Sequence, residues 1–465
     1  MRNLIKIILL TSILTGLLSC GSKADESIIG QWKGAIQVSG LSLNLVFDFK
    51  KADGKLTANF YSIDQTNKKI EASNVKFKND SIKVEIFRLG AIYQGALTDS
   101  MIVGVFTQMG NQMALDLKKI TTEEFNSYVN ESGDDGEKLY TSSDVTFENA
   151  KAGISLAGTI TVPKEGSNFP AVVLVSGSGA QNRDEEMMGQ KPFKRIADYL
   201  SNRGIAVLRY DDRGIDHSGG NFATATTHDF LEDAIAATEF LKAYDNIDKN
   251  KIGIIGHSEG ALISMMAAAE NKVSFIVALA GPTITGEDLL LLQAWEIGKA
   301  SGNNEAALNA ARTLNSAIYT ILKKEPDNKK AKLDMIATIK HYAPNDEMKK
   351  DAVAEKMANT VLNPWFRTFI TLDPAGYIQK IKCPTLFLFG EKDLQVPVSE
   401  NKQMLYKLFN NNIPANISLS TVADVNHLFQ KAEKGLPNEY ANRENPVMNN
   451  ETLQKIYDWM KESML

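Results

Sequence analysis

Between Gly30 and about Ile120 the apolar positions recur at every second residue. Leu43, Leu45, Phe47 and Phe49 alternate with Ser42, Asn44, Asp48 and Lys50, the repeat of strands that bury one face. Asp53-Gly54 supplies a turn, and Leu56, Ala58 and Phe60 then resume the alternation. Ile82, Val84 and Ile86 continue it past Asn79-Asp80. With further runs at 91–97, 101–107 and 112–117, the pattern gives about eight strands at hairpin spacing. The segment 30–120 therefore reads as a small antiparallel β-barrel or sandwich, with Trp32 either in a filled core or lining a ligand cavity, the filled core being the commoner arrangement in small barrels.

From about Ser142 the pattern changes. Apolar runs of strand length alternate with helical spacing, which predicts βα units around a mostly parallel sheet. The join at 121–141 contains Glu131-Ser132-Gly133-Asp134-Asp135-Gly136, a polar stretch suited to a linker. In the second domain, 142–465, a buried strand at 171–175 precedes a helix on which Phe193, Ile196, Ala197 and Leu200 fall at i, i+3, i+4, i+7. Pro192 can open that helix and Gly204 can close it. Strands follow at 205–209, 252–255, 273–280, 384–389 and 417–422. A second helix carries Phe230, Ala234, Ala237, Leu241 and Tyr244 on one face, and a last one Leu453, Ile456, Tyr457 and Met460. About a hundred residues lie between Pro282 and Cys383, where a strand-to-strand crossover needs a dozen or so. The excess is Ala-, Leu- and Lys-rich with helical spacing, which predicts a helical cap over about 283–375.

Composition excludes wholesale disorder: of 465 residues, 43% are hydrophobic and 23% charged, with 32 Gly and 13 Pro. Lys+Arg 51 against Asp+Glu 56 leaves a net charge of -5, so no cationic surplus exists for gripping a phosphate backbone and nucleic acid is not an expected partner. At the start of the chain, Arg2 and Lys6 flank an apolar run, 7–18, that ends in Leu17-Leu18-Ser19-Cys20. The run is too short to span a bilayer and has the layout of a secretory signal. Its end resembles a bacterial lipobox. That resemblance implies cleavage of a signal peptide 1–19, lipidation of Cys20, a polar tether over 20–29 and a lipid-anchored place in the cell envelope. Protein partners and the membrane face are not legible. Cys383 is then the remaining cysteine, so no intramolecular disulfide is possible; beside Pro384 at the start of a strand it reads as a packed core thiol.

The chemistry is concentrated at 252–265. Ile252-Gly253-Ile254-Ile255 runs into Gly256-His257-Ser258-Glu259-Gly260, and Ala261-Leu262-Ile263-Ser264-Met265 continues as a helix. A strand, G-x-S-x-G and a helix make a sharp turn that exposes the serine hydroxyl above the sheet edge. A serine hydroxyl attacks poorly until an imidazole takes its proton, and the imidazole needs a carboxylate to fix its tautomer. In the order nucleophile, acid, histidine, the acid is Asp393, at the end of Leu386-Phe387-Leu388-Phe389-Gly390-Glu391-Lys392-Asp393. Of His217, His228, His257, His341 and His427, His427 alone follows it. Glu391 is an alternative acid, Asp424 reads as a turn cap, His257 as a buried neighbour of the site and His341 as part of the cap. Two N–H donors should hold the developing oxyanion. One is the N–H of Glu259; the other lies in Ser176-Gly177-Ser178-Gly179, with Ser178 first and Gly179 in reserve.

Taken together, Ser176-Gly177-Ser178-Gly179-Ala180-Gln181-Asn182-Arg183-Asp184-Glu185, Arg209-Tyr210-Asp211-Asp212-Arg213-Gly214, Gly256-His257-Ser258-Glu259-Gly260 and Gly390-Glu391-Lys392-Asp393-Leu394-Gln395-Val396-Pro397 resemble the α/β-hydrolase superfamily. The likeness is to two-domain bacterial carboxylesterases related to the serine aminopeptidases and dienelactone hydrolase. It covers about 142–465, including Pro364-Trp365-Phe366-Arg367. It implies the same triad, Ser258, Asp393 and His427, and a substrate class of short-chain carboxylic esters. Asp216-His217-Ser218 departs from it, standing where relatives usually carry Gly-x-Ser. Arg213 and Asp211 read as a structural ion pair.

Three functions compete at this point. The first is an envelope carboxylesterase acting on a small-molecule ester through an acyl-enzyme. The second is a serine exopeptidase on the same triad, which needs a cap carboxylate for the substrate amine, Glu296 or Glu287. The third is a non-catalytic binding lipoprotein. The chain holds no H-E-x-x-H, paired C-x-x-C or G-x-x-x-x-G-K-[ST], so no metal or organic cofactor is expected.

Overall fold

The structure is a computed structural model that describes residues 23–464 apart from 39–40, 53, 64–65, 109, 123, 126–137, 344 and 443–444. The signal segment, Cys20 and the whole polar stretch 131–136 of the linker lie outside the described residues. The chain divides into two units, Met1–Asn130 and Glu131–Leu465.

In the first unit the period-two pattern becomes an antiparallel sheet. Its neighbours run, in spatial order, Thr66–Glu71, Lys55–Ser62, Leu41–Ala52, Gly30–Val38, Leu117–Ile120, Met101–Gln108, Ala91–Leu97, Ser81–Ile86 and Asn74–Lys78, with Asn111–Ala114 also beside Met101–Gln108. These are ten strands among the described residues, more than the alternation predicted. The expected run at 112–117 is broken at Leu115 and Asp116, and its two halves pair differently: Asn111–Ala114 with Met101–Gln108, Leu117–Ile120 with Gly30–Val38 as well. The turn between the two edge strands draws the ends of the sheet together, because Ala72 N–H donates to the Ala58 carbonyl (2.9 Å) and Ser73 N–H to that of Glu85 (2.7 Å). Phe47, Phe49, Phe60, Tyr93 and Phe106 fill the interior, so the core is packed and the cavity alternative falls. Trp32 is buried there and its Nε1–H donates to the Ile28 carbonyl at 2.8 Å. The tether expected out to residue 29 gives way at Lys23–Ile28 to a short helix whose Ile28 belongs to this core.

The second unit is built on an eight-stranded sheet: β1 Tyr140–Asn149, β2 Ile154–Pro163, β3 Phe169–Val175, β4 Ala206–Tyr210, β5 Ile247–His257, β6 Phe275–Leu279, β7 Thr385–Gly390 and β8 Ile417–Val422. The spatial order is β1-β2-β4-β3-β5-β6-β7-β8. Pairs involving β2 are antiparallel and the rest parallel, the α/β-hydrolase architecture expected. The hairpin β1–β2 begins at Tyr140, inside the segment assigned to the linker, and had no apolar run to announce it because most β1 side chains are exposed.

Helices α1 Pro192–Ser201, α2 Thr227–Ala243 and α3 Glu259–Ala269 flank the sheet. Pro192 takes the first turn of α1, and the stripe Phe193, Ile196, Ala197, Leu200 is buried. The insertion forms α4 Gly286–Ala300, α5 Glu305–Lys324, α6 Asn328–Tyr342, α7 Asp346–Lys349, α8 Asp351–Val361, α9 Pro364–Phe369 and α10 Ala375–Ile378. It has a core of its own from Leu314, Ile318, Met335, Ile339, Ala354 and Ala358, which is why it reads as a cap and not as a loop. α11 Val398–Leu408 and α12 Asn450–Met464 complete the unit. Cys383 is partly buried against the sheet core, as a packed thiol should be.

The parallel register decides where chemistry can occur. Val175 lies beside Gly256, Gly256 beside Ala278, and Gly390 beside Val422. The loops leaving β3, β5, β7 and β8 therefore emerge on one edge, the place where an open α/β sheet binds ligands.

Candidate active site

At the end of β5 the chain must reverse into α3 within a few residues. A Cβ on Gly256 would collide with the Gly260 carbonyl oxygen, and one on Gly260 with that of Val175, so both positions require glycine. Between them Ser258 takes φ 55° and ψ −117°, a strained conformation for a residue with a side chain, held by its N–H on the Leu279 carbonyl at 2.9 Å. Glu259 follows as the first residue of α3, where backbone N–H groups have no partner within the helix.

Asp393 and His427 meet as the motif order required. His427 Nδ1 lies 2.8 Å from Asp393 Oδ2, and both side chains are buried. The other carboxylate oxygen, Oδ1, accepts the N–H groups of Gln395 (2.8 Å) and Val396 (2.9 Å), so the acid cannot swing away. A carboxylate on Nδ1 fixes the proton there and leaves Nε2 to act as base. Among the described residues no hydrogen bond joins Ser258 Oγ to His427; the contact between their segments is made by His257. The ring of His257, the residue before the serine, lies 4.7 Å from that of His427, and its Nε2 is 2.9 Å from the His427 carbonyl oxygen. Catalytic hydrogen bonds often close only when substrate is bound.

The loop after β3 comes up against the serine: a Cβ on Gly177 would sit 3.2 Å from Cβ of Ser258. Asp212 ties both ends of this loop, accepting from Ser176 Oγ at 2.8 Å and from the Gln181 N–H at 3.0 Å. Burial pushes the Asp212 carboxyl up to about 8 in spite of those donors. The N–H of Gly177 is taken by Glu185 Oε1 at 2.7 Å, whereas Ser178 and Gly179 are exposed at the tip.

Sequence reasoning missed two buried carboxylates beside the candidate catalytic residues. Glu185 was legible only as the end of a quoted motif, yet its Oε1 also lies 2.9 Å from His257 Nδ1. The side chain of Glu259 is buried as well. It accepts from Thr227 Oγ1 at 2.6 Å and from the indole N–H of Trp365 in α9 at 2.8 Å, and burial raises its pKa to about 7. The cue available was that Trp365 and Glu259 both fall in motifs of the resemblance.

The predicted Arg213–Asp211 pair is not formed. The two side chains diverge after β4. Asp211 binds Arg183, with Nε at 3.0 Å and Nη2 at 2.6 Å, while Arg213 turns to α2 and binds Asp233 (2.7 and 2.9 Å) and Asp229 (3.0 Å). Both remain structural. At the position where the resemblance leads one to expect Gly-x-Ser, Asp216 adopts a left-handed φ of 44°, and Ser218 donates to the Asp211 carbonyl at 2.6 Å. Glu391 is exposed and accepts the Asp424 N–H at 2.9 Å. The Asp424 carboxylate itself pairs with the Lys392 ammonium at 2.8 Å, an ion pair in place of the turn cap expected of it, while its backbone takes the left-handed φ of 58°. His341 lies in α6, against Tyr342.

Residues 190–429, just over half of the 465, match the family described as serine aminopeptidase, S33. Over 309 residues the chain is 30% identical to esterase EstD of Thermotoga maritima, covering 66% of this chain and 65% of that protein. A stretch of 155 residues is 28% identical to dipeptidyl peptidase 8 of Homo sapiens, 31% of this chain and 17% of that one. The chain thus spans a little under two thirds of the first of these relatives and a sixth of the second. Among solved structures, the Pyrococcus furiosus esterase Pf2001 is similar at 19% identity and a TM-score of 0.44, with 70% of this chain and 92% of that chain covered.

Proposed function

The chain belongs to the serine aminopeptidase, S33 family of α/β-hydrolases, and from that membership we propose that it is a carboxylesterase-type serine hydrolase acting on short-chain carboxylic esters. Ser258 Oγ attacks the ester carbonyl while His427 Nε2 takes its proton. The oxyanion forms against the N–H groups of Glu259 and Ser178, with Gly179 as the alternative second donor. His427 returns the proton to the leaving alcohol, and a water, deprotonated by the same imidazole, releases the acid from the acyl-enzyme. Asp393 holds the imidazole in the productive tautomer throughout. The observation that carries this reading is the His427–Asp393 bond at 2.8 Å on the sheet edge that also presents the strained Ser258. The alignment with an esterase over 309 residues supports the ester class. Lipidation of Cys20 would hold the enzyme at the bacterial envelope; mass spectrometry of the membrane fraction tests this, and an unmodified Cys20 thiol refutes it.

One observation favours a second reading, exopeptidase action. Gln293 of α4, one helical turn before Glu296, donates through its amide to Gln395 at 3.0 Å, which brings the helix that carries this cap carboxylate against the loop after Asp393. The other candidate, Glu287, is held by Lys323. Rates on p-nitrophenyl butyrate and on aminoacyl anilides separate the two: faster ester turnover is expected, and faster anilide turnover would reverse the order.

A further inference from the structure

The catalytic mechanism above uses one carboxylate–histidine pair, but the site contains two. Glu185 and His257 are 2% exposed each, and each touches a different moving part of the reaction. Glu185 Oε1 accepts the N–H of Gly177, in the loop that carries the oxyanion donors, at 2.7 Å. The same oxygen lies 2.9 Å from His257 Nδ1. On the far side of the ring, Nε2 lies 2.9 Å from the backbone carbonyl of His427. A carbonyl oxygen can only accept, so Nε2 carries a proton. Oε2 of Glu185 has no hydrogen-bond partner among the described residues, so both of its contacts run through one oxygen.

We propose that Glu185 and His257 form a positioning pair that sets His427 and the oxyanion loop on the same frame as Ser258. The inference rests on the reading of Ser258, His427 and Asp393 as the catalytic groups. His257 is covalently next to Ser258, so any force it transmits to the His427 carbonyl places the base relative to the nucleophile. Glu185 links that placement to the loop over the serine. The alternative, a pair that merely fills space, does not need four hydrogen-bonding groups, the Gly177 N–H, the Glu185 carboxylate, the His257 ring and the His427 carbonyl, aligned from three separate segments of the chain around two buried side chains. Burial works to lower the His257 pKa, yet the charge and hydrogen bond of Glu185, with the His427 carbonyl and Asp393 behind them, raise it overall. The charged form of the ring, with donors on both nitrogens, is the one this arrangement favours.

The test compares Glu185→Gln and Glu185→Asp with the wild type. A glutamine oxygen can still accept from Gly177 but cannot balance an imidazolium; an aspartate keeps the charge at shorter reach. Purified full-length variants are first shown to be folded by circular dichroism and thermal melting. On p-nitrophenyl butyrate we expect Glu185→Gln to lower kcat about 30- to 300-fold with KM within about threefold, since positioning acts in the transition state, and Glu185→Asp to recover at least part of that loss. In parallel, the imidazole nitrogen signals of ¹⁵N-histidine-labelled protein report the link without substrate. The His427 signals should shift or broaden in Glu185→Gln. A kcat within twofold of wild type together with unchanged His427 signals overturns the proposal while leaving the esterase reading intact. A wild type that hydrolyses no ester sinks that reading instead, and the nitrogen signals still decide whether Glu185 orders His427.

Discussion

The indole N–H of Trp365, in the cap, donates at 2.8 Å to the buried carboxyl of Glu259, the residue that follows Ser258. The cap is thereby fastened to the residue proposed above as an oxyanion donor. Trp365→Phe keeps a ring to stack on Phe369, 5.0 Å away between centroids, but deletes the donor. The expected result is a loss of about 1–2 kcal/mol in stability and a raised KM, with less change in kcat. Melting curves and ester kinetics check it; a variant unchanged in both would show that the contact fastens nothing.

Stability should fall as pH rises through neutrality. Glu259 and Asp212 titrate near 7 and near 8 in the folded protein, against ordinary values of 4.5 and 3.8, because burial disfavours their carboxylates. The folded state therefore holds protons that the unfolded chain has already released. Their stabilising contribution is complete below about pH 4 and is lost as pH climbs through about 7 and 8. His257, raised beside Glu185, has the same sign. Melting temperature measured from about pH 5 to 9 should decline, and the double variant Glu259→Gln/Asp212→Asn should flatten the decline. A wild-type curve that rises over this window contradicts the assignment.

Asp393→Asn separates orientation from packing. The amide oxygen can still accept from Gln395 and Val396, but its NH₂ faces His427 Nδ1 and enforces the wrong tautomer. Turnover should drop about 10⁴-fold with the fold retained. Steady-state kinetics and circular dichroism read the two halves of that statement.

Gly260→Ala should be severe although it removes no contact. The new methyl would run into the Val175 carbonyl, on a strand that cannot retreat from its neighbours β4 and β5. A loss of about 3 kcal/mol or more is expected, visible as poor soluble yield or a lowered melting temperature. Wild-type stability in this variant would mean that the elbow is looser than its backbone angles indicate.

The legible parts of the molecule were those whose physics is local. Period-two alternation marked the first domain. The i, i+3, i+4, i+7 stripe on Phe193 marked α1, and the glycine-flanked Ser258 marked a turn that only such a sequence can make. The order of motifs led to Asp393 and His427, and their side chains meet. What stayed hidden depends on long-range pairing. β1 offers a mostly polar face and no apolar run, so Tyr140 looked like linker. Asp211 and Arg213 are neighbours in sequence, and nothing local tells that Arg183 and Asp233 are their partners. Glu185 and Glu259 are charged residues that local reasoning places on the surface; they are buried because Gly177, His257, Thr227 and Trp365 reach them from elsewhere in the chain.

Covalent labelling by a fluorophosphonate, with the modified peptide mapped by mass spectrometry, tests the central claim most directly. One adduct is expected on Ser258 in the wild type and none in Ser258→Ala, whose ester turnover falls about 10⁴- to 10⁶-fold. An adduct on another residue, or undiminished turnover in Ser258→Ala, would contradict that claim.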